Sequence, residues 1–342
     1  MSATMQALRI ESPGHWAFAD VPRPEPREGE VLLQIKRIGY CGSDLSTFRG
    51  ANPLVQYPRI PGHEIAAVVA GIARGVPETI QVGAATAVLP YTACGECASC
   101  RAGRTNACQH NQTLGVQRDG ALTEYIAVPW QKLRLASLSL PELALVEPLS
   151  VGFHAAARGR VGLGDTVLVL GCGMIGLGAI AGAAARGATV IAADVAAAKL
   201  GLARKSGAAH VIDSSTENLH GRLVELTGGH GPAVVIEAVG SPATYVAAVE
   251  EVAFAGRVVY IGYGKAPVSY ETKLFVLKEL DILGSRNATD DDFDAVIRLL
   301  GSGRYPSLET ITRTAAWAEA GEALAAWSGD PGGITKLQIT VA

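Results

Sequence analysis

The sequence predicts an α/β protein of two domains, an irregular antiparallel β-barrel and a doubly wound parallel sheet, on three observations. Short β-rich runs broken by Pro and Gly fill residues 1–135. From about residue 155, apolar strands alternate with Ala-rich helical stretches. A chain of 342 residues also exceeds what one ordinary hydrophobic core sustains, so two domains are expected, one of them open to being discontinuous.

The barrel is predicted from runs such as 30–35 and 65–69, whose aliphatic and β-branched residues suit pleated, half-buried strands. Six further strands are expected at 167–170, 190–193, 209–212, 233–237, 257–261 and 281–284. Their rhythm with the intervening helices is that of a sheet built from two halves. After Asp290 come two helix-like stretches and a last strand at 335–340, which the chain uses to return to its first domain. The expected division is therefore 1–152 with 290–342, and 153–289.

A chain that is 49% hydrophobic and 18% charged, with a formal net charge of −3, has no basic footprint for nucleic acid and favours small-molecule work. The start MSATMQALRI lacks the basic and apolar regions of a signal peptide, which places the protein in the cytoplasm with reduced thiols. Residues 167–185 run uncharged and contain Gly178-x-x-x-Gly182, a spacing seen where membrane helices pair. Five glycines, no flanking aromatic belt and a β-branched opening reject a membrane span in favour of a strand, a turn and a helix.

That turn is Gly171-Cys172-Gly173-Met174-Ile175-Gly176, directly after a predicted strand. Gly171 permits the tight turn, Gly173 lets backbone approach a pyrophosphate, and Gly176 lets the helix lie on the sheet. The second strand ends in Asp194, near the ~20-residue separation at which an acid accepts from the adenosine ribose. Its charge would repel the extra phosphate of NADP, so NAD is preferred. Asp213 lies too far along for this role, and Val195 is no phosphate-binding Arg. Lys199 either covers the adenine side or is a solvated helix residue. Ala238 and Ile261 complete the expected cofactor contacts.

Cys94-x2-Cys97-x2-Cys100-x7-Cys108 concentrates four of the six cysteines in a polar, Gly-rich lobe at about 91–110. Four thiolates at this spacing read as a structural zinc site. An iron–sulfur run would place its fourth Cys three residues on, and a disulfide pair does not suit a cytoplasmic chain. A second set, Cys41, His63, Glu64 and Glu147, supplies the mixed sulfur, nitrogen and oxygen ligands of a catalytic zinc, which needs only three firm protein ligands. Two zinc ions per chain are therefore expected.

Taken together, Cys41-Gly42-Ser43-Asp44, Tyr57-Pro58-Arg59-Ile60-Pro61-Gly62-His63-Glu64, the cysteine lobe, Glu147-Pro148-Leu149 and the glycine fingerprint resemble the zinc-containing medium-chain alcohol and polyol dehydrogenases over essentially the whole chain. The resemblance implies a GroES-like catalytic domain interrupted by a Rossmann domain. It further implies oxidation of a secondary alcohol with hydride transfer to a nicotinamide, and a homodimer or homotetramer formed through the Rossmann sheet edge. Gly284-Ser285-Arg286-Asn287-Ala288-Thr289 and Pro331-Gly332-Gly333-Ile334-Thr335-Lys336 look most like the branch that oxidises L-galactonate or L-gulonate at C5.

By the same resemblance Cys41, His63 and Glu64 are zinc ligands, and Glu147 either binds the zinc-bound water or exchanges with Glu64. A second carboxylate would leave zinc, one thiolate and two carboxylates formally negative, which assigns Glu147 the outer or transient part. Asp44 is expected to orient the His63 ring, and Ser43 to carry the alcohol proton away. Relatives often have His where this chain has Ser46, which opens the outer proton path to water, the ribose or Glu147. Arg286, with Asn287 beside it, is expected at the substrate as a bidentate carboxylate clamp or at the cofactor.

The alternatives are a sorbitol, threonine or simple secondary alcohol dehydrogenase, a zinc-free reductase of conjugated C=C bonds, and a non-catalytic nucleotide-binding sensor. The ligand set speaks against the reductase. A sensor should show decayed ligands, and only Ser46 is unusual. His15, His110, His154, His210, His220 and His230 receive no functional role, and Cys172 is not spaced as a ligand.

Overall fold

A computed structural model describes residues 4–264 and 266–341. Contacts divide them into two compact units, one comprising residues up to 147 and from 307 on, the other 148–306. The first contains the hairpin Thr4–Ser12 (β1) and His15–Pro22 (β2), then Glu30–Tyr40 (β3), Glu64–Ile72 (β4), Ala85–Val88 (β5), Tyr125–Pro129 (β6) and Leu133–Leu135 (β7). The second contains Thr166–Leu170 (β8), Thr189–Asp194 (β9), His210–Asp213 (β10), Val234–Glu237 (β11), Arg257–Tyr260 (β12) and Asp281–Gly284 (β13). Ile311–Ala316 (β14) and Lys336–Thr340 (β15) return to the first.

In the first unit the order is β14-β15-β3-β4-β5-β7, with β6 paired to β3. Along β3 the core takes Val31, Leu33 and Ile35, then Ile38 and Tyr40. The inward parity changes because the register shifts between Ile35 and Arg37, a bulge that adds one residue against β4. This shift delivers Tyr40, and Cys41 after it, to the end of the strand from which the helix Gly42–Phe48 starts.

The second unit is a six-stranded parallel sheet ordered β10-β9-β8-β11-β12-β13, the doubly wound arrangement expected for two mononucleotide-binding halves. Its four central strands are largely buried, whereas the edge strand β13 is mostly exposed. Val167 and Val169 join Leu177, Ile180 and Val190 in one core, while Leu168 and Leu170 join Ile191, Ile212 and Val235 in the other. Alternation along a strand places these sets on opposite faces, which is why the sequence reads as continuous apolar runs. Residues 167–185 form most of β8, the glycine turn and the helix Met174–Ala184. Among the described residues no helix is long and apolar enough to cross a membrane.

The helix Asp290–Gly301 belongs to the second unit, beyond the expected break at residue 289. Its Asp292 accepts from Thr289 N at 2.9 Å and Thr289 Oγ1 at 2.6 Å, and pairs with His154 Nδ1 at 2.8 Å. Phe293 and Val296 are fully buried. This N-terminal cap and its His154 partner tie the helix to Val146–Arg158, so the chain leaves the unit only after residue 306.

Candidate catalytic and cofactor sites

Cys41 caps the helix Gly42–Phe48, and its N–H donates to Asp44 Oδ2 at 2.9 Å. Gly62 stands at φ +103°, in the left-handed region, where a Cβ would press against Leu122 N and Ile38 Cγ2. The turn it permits carries His63 into the interior and starts β4 at Glu64, directly opposite Gly39 of β3. The ligand atoms of Cys41, His63 and Glu64 then lie within 4.8 Å of one another, with His63 and Glu64 buried. Ligands on tetrahedral zinc stand about 3.3–3.8 Å apart by their bond lengths, so small side-chain movements would close this set around the ion.

Asp44 is wholly buried, but its Oδ1 stands 3.9 Å from His63 Nδ1, too far for a hydrogen bond, and that nitrogen has no partner. The expected orienting bond is not made in this arrangement: Cys41 N donates to Oδ2 and Gly62 N to Oδ1, the latter at 3.4 Å, with Oδ1 left 3.9 Å from the ring nitrogen. Burial raises the Asp44 pKa against these donors and His63. Burial opposes charge on His63, but Asp44, the Cys41 sulfur and Glu147 outweigh it and raise its pKa. Ser43 Oγ is buried without a partner.

Glu147 stands outside the close ligand set, 5% exposed, and accepts a hydrogen bond from Tyr91 Oη. Burial pushes its pKa up to about 6, partly offset by His63. Sequence reasoning passed over Tyr91, and it also passed over Lys336, the first residue of β15. Lys336 Nζ lies 2.6 Å from both Glu64 oxygens and 3.1 Å from Tyr40 O. Its sign as a functional residue was a lysine opening an otherwise inward-facing strand, where Leu337, Gln338 and Ile339 are all buried.

The four lobe sulfurs also lie within 4.8 Å of one another. Cys108 Sγ is 3.6 Å from Cys94 Sγ and 3.9 Å from Cys97 Sγ, close to the ~3.8 Å separation on zinc and far beyond a disulfide bond. Backbone N–H groups of Glu96 and Cys97 point at Cys94 Sγ, and those of Cys94 and His110 at Cys108 Sγ. Such donors favour thiolates. The Ser99 hydroxyl and further amides hold the Cys97 thiol down at about 5.

In the second unit Gly171 has φ +95°, and a Cβ there would strike Val239. Open space surrounds a Cβ built on Gly173, the N-cap of Met174–Ala184, whereas one on Gly176 would collide with Gly171 O. Gly171 and Gly176 thus have no room for a side chain, while Gly173 leaves its surroundings open. Met174 and Ile175 form the first turn, whose amides lack a side-chain cap and can face a phosphate. At the end of β9, Asp194 accepts from Cys172 N at 2.7 Å and Ala196 N at 2.8 Å, which holds the acid against the fingerprint while leaving lone pairs free. Burial, with the Asp194 carboxylate, pushes the Cys172 thiol up to about 12, and Lys199 acts against that shift. Ala238 N bonds Leu170 O, and Ile261 N bonds Glu237 O, fixing both backbones at the carboxyl end of the sheet. Arg286 and Asn287 follow β13, Asn287 at φ +54°.

Residues 27–138 match the alcohol dehydrogenase GroES-like domain, and residues 175–302 the zinc-binding dehydrogenase family. The L-galactonate-5-dehydrogenase of Escherichia coli (strain K12) is 34% identical over 91% of each chain. The chain belongs to the zinc-type medium-chain alcohol dehydrogenase family. It is an oxidoreductase with the GroES-like and Rossmann-like architecture of that family. A solved alcohol dehydrogenase from Escherichia coli CFT073, complexed with NADH, superposes with a TM-score of 0.91 at 31% identity, covering 99% of this chain and all of the other. A zinc-binding dehydrogenase from Sinorhizobium meliloti 1021, bound to NADP, gives 0.90 at 29% identity over 99% and 100%. This architecture therefore serves both dinucleotides, and a relative's cofactor does not decide this chain's preference.

Proposed function

We propose that this dehydrogenase oxidises a secondary alcohol of a sugar acid or polyol to the ketone, with NAD as hydride acceptor. The observation that carries the reading is the convergence of Cys41, His63 and Glu64 at one buried point, with Ser43 Oγ unpartnered nearby in sequence. Zinc, when held by these three, supplies the Lewis acidity that lowers an alcohol's pKa. Ser43 receives the hydroxyl proton and passes it outward. Glu147, steadied by Tyr91, is the second carboxylate at this centre. When bound, the nicotinamide would supply the hydride acceptor for the carbinol carbon, so that the products would balance as ketone, NADH and a released proton. The glycine turn and the Met174–Ala184 N-terminus hold the pyrophosphate, and Asp194 accepts from the ribose.

Asp194 is the reason for choosing NAD. A carboxylate bonded by two backbone amides cannot swing away from a ribose 2′-phosphate, so it repels one. Asp194→Ala is expected to raise the KM for NAD by about tenfold or more, the size of a lost charged hydrogen bond, and to narrow the advantage over NADP. Steady-state rates with both cofactors check this. An unchanged preference would move the ribose reader elsewhere.

The sugar-acid reading rests on likeness to the L-galactonate enzyme and on Arg286, whose planar fork fits a carboxylate. NADH absorbance should rise faster with L-galactonate or L-gulonate than with the matching polyols, and Arg286→Ala should remove that difference. Equal losses on acid and polyol would end the clamp assignment, and a response to polyols alone would favour a sorbitol-type enzyme.

A further inference from the structure

Glu64 is engaged twice. One of its oxygens belongs to the set with Cys41 and His63, yet Lys336 Nζ lies 2.6 Å from both oxygens and spends its remaining donor on Tyr40 O. The lysine side chain is 3% exposed and the glutamate fully buried. Neighbouring residues make room for the pair: Gly39 lies opposite Glu64 in β4 and opposite Gln338 in β15, and a Cβ on it would collide with Glu64 Oε2. A glycine inside a strand is unfavourable for the strand itself, so this one marks a close approach. Replacing a buried ion pair by packed apolar residues is often neutral or stabilising, so stability alone is a weak reason for Lys336 to be here.

We infer that Lys336 is a positioning residue that competes with the catalytic zinc for the Glu64 carboxylate and so keeps Glu64 an exchangeable ligand. The inference rests on the proposed catalytic zinc. A carboxylate offers about four lone-pair positions, and the lysine takes one on each oxygen, leaving Glu64 a weaker donor to metal. The ammonium also changes the charge balance at the centre. A thiolate and two carboxylates overbalance zinc alone, but they match zinc and an ammonium together. Glu147 can therefore approach without making the centre negative, while Lys336 receives Glu64 as it leaves.

Lys336→Met tests this in the zinc-loaded enzyme. Release of the catalytic zinc to a chelator should slow about tenfold, while kcat falls, because Glu64 no longer has an alternative partner. A lysine with a merely structural part would, on removal, loosen the metal and lower activity together. Unchanged or faster zinc release would overturn the inference. If Lys336→Met does not fold, Glu64→Gln is compared with the double variant Glu64→Gln, Lys336→Met. The exchange runs through the carboxylate, so with Gln at position 64 removal of the lysine should leave only the smaller effect of the lost charge, and a slowing of tenfold or more in the double variant would overturn the inference. Zinc content separates this from the underlying reading: a wild-type chain holding only the lobe zinc refutes the catalytic site itself, whereas two zincs with unaltered release refute Lys336 alone.

Discussion

Cys41→Ser is expected to lower turnover by about a thousandfold or more while the chain keeps its fold, one zinc and its dinucleotide affinity. The thiolate is the soft, charged member of the Cys41, His63 and Glu64 set, and a serine hydroxyl at neutral pH brings neither charge nor sulfur. Folding should survive, because Cys41 is the N-cap of Gly42–Phe48, a position where serine is favoured, and the contact made there is from its backbone N–H to Asp44. The elements proposed for NAD, from the glycine turn to Asp194, all fall within residues 148–306, so NADH fluorescence titration should be unchanged. Metal analysis should fall from two zincs per chain to one. Activity near that of the unaltered enzyme would remove the catalytic zinc from the proposal.

Much of this site was legible in the sequence because its signals are local. The fingerprint glycines sit within six residues, and Gly171 and Gly176 meet atoms a few residues away or on the adjoining strand turn, while Gly173 borders open space. The cysteine spacing likewise fixes a lobe whose sulfurs meet without help from distant residues. The central strands of the second unit were readable because burial on both faces demands unbroken apolar runs.

What escaped was set by register. Lys336 meets Glu64 across 272 residues only because β15 pairs with β3, β3 pairs with β4, and Gly39 between them has no side chain. No pattern near either residue encodes that meeting. Tyr91 is hidden from sequence for the same reason, since its partner Glu147 is 56 residues on. Asp44 stands between these cases: motif spacing brings the acid near His63, while its exact distance is set by backbone donors from Cys41 and Gly62 that no motif encodes. The charge argument built on zinc, one thiolate and two carboxylates was incomplete without the ammonium.

Cys100→Ser in the lobe should act on stability rather than on the reacting atoms. Residues 94–108 contain only four-residue and three-residue helical turns, and Gly95, Glu96, Arg101 and Gly103 are exposed, so no apolar core orders them. A bound zinc would then supply the folding free energy of the segment, as in small zinc modules, where it reaches about 10–16 kcal/mol in isolated peptides. Only the share coupled to the rest of the chain lowers the melting temperature, and a share of about 3 kcal/mol corresponds to roughly 6 °C or more. The coupling has a visible route: Thr92 N donates to Asn111 Oδ1 at 3.2 Å and Gln112 N to Thr92 Oγ1 at 2.7 Å, closing the base of the lobe beside Tyr91. An unravelled lobe should therefore loosen Tyr91 from Glu147 and reduce activity partially. Trypsin gives the local readout, since Arg101 and Arg104 would become cleavable while the other unit stays intact. Unaltered zinc content together with unaltered proteolysis would show that zinc and order in the lobe do not depend on the Cys100 thiolate, and the four-thiolate assignment would fall.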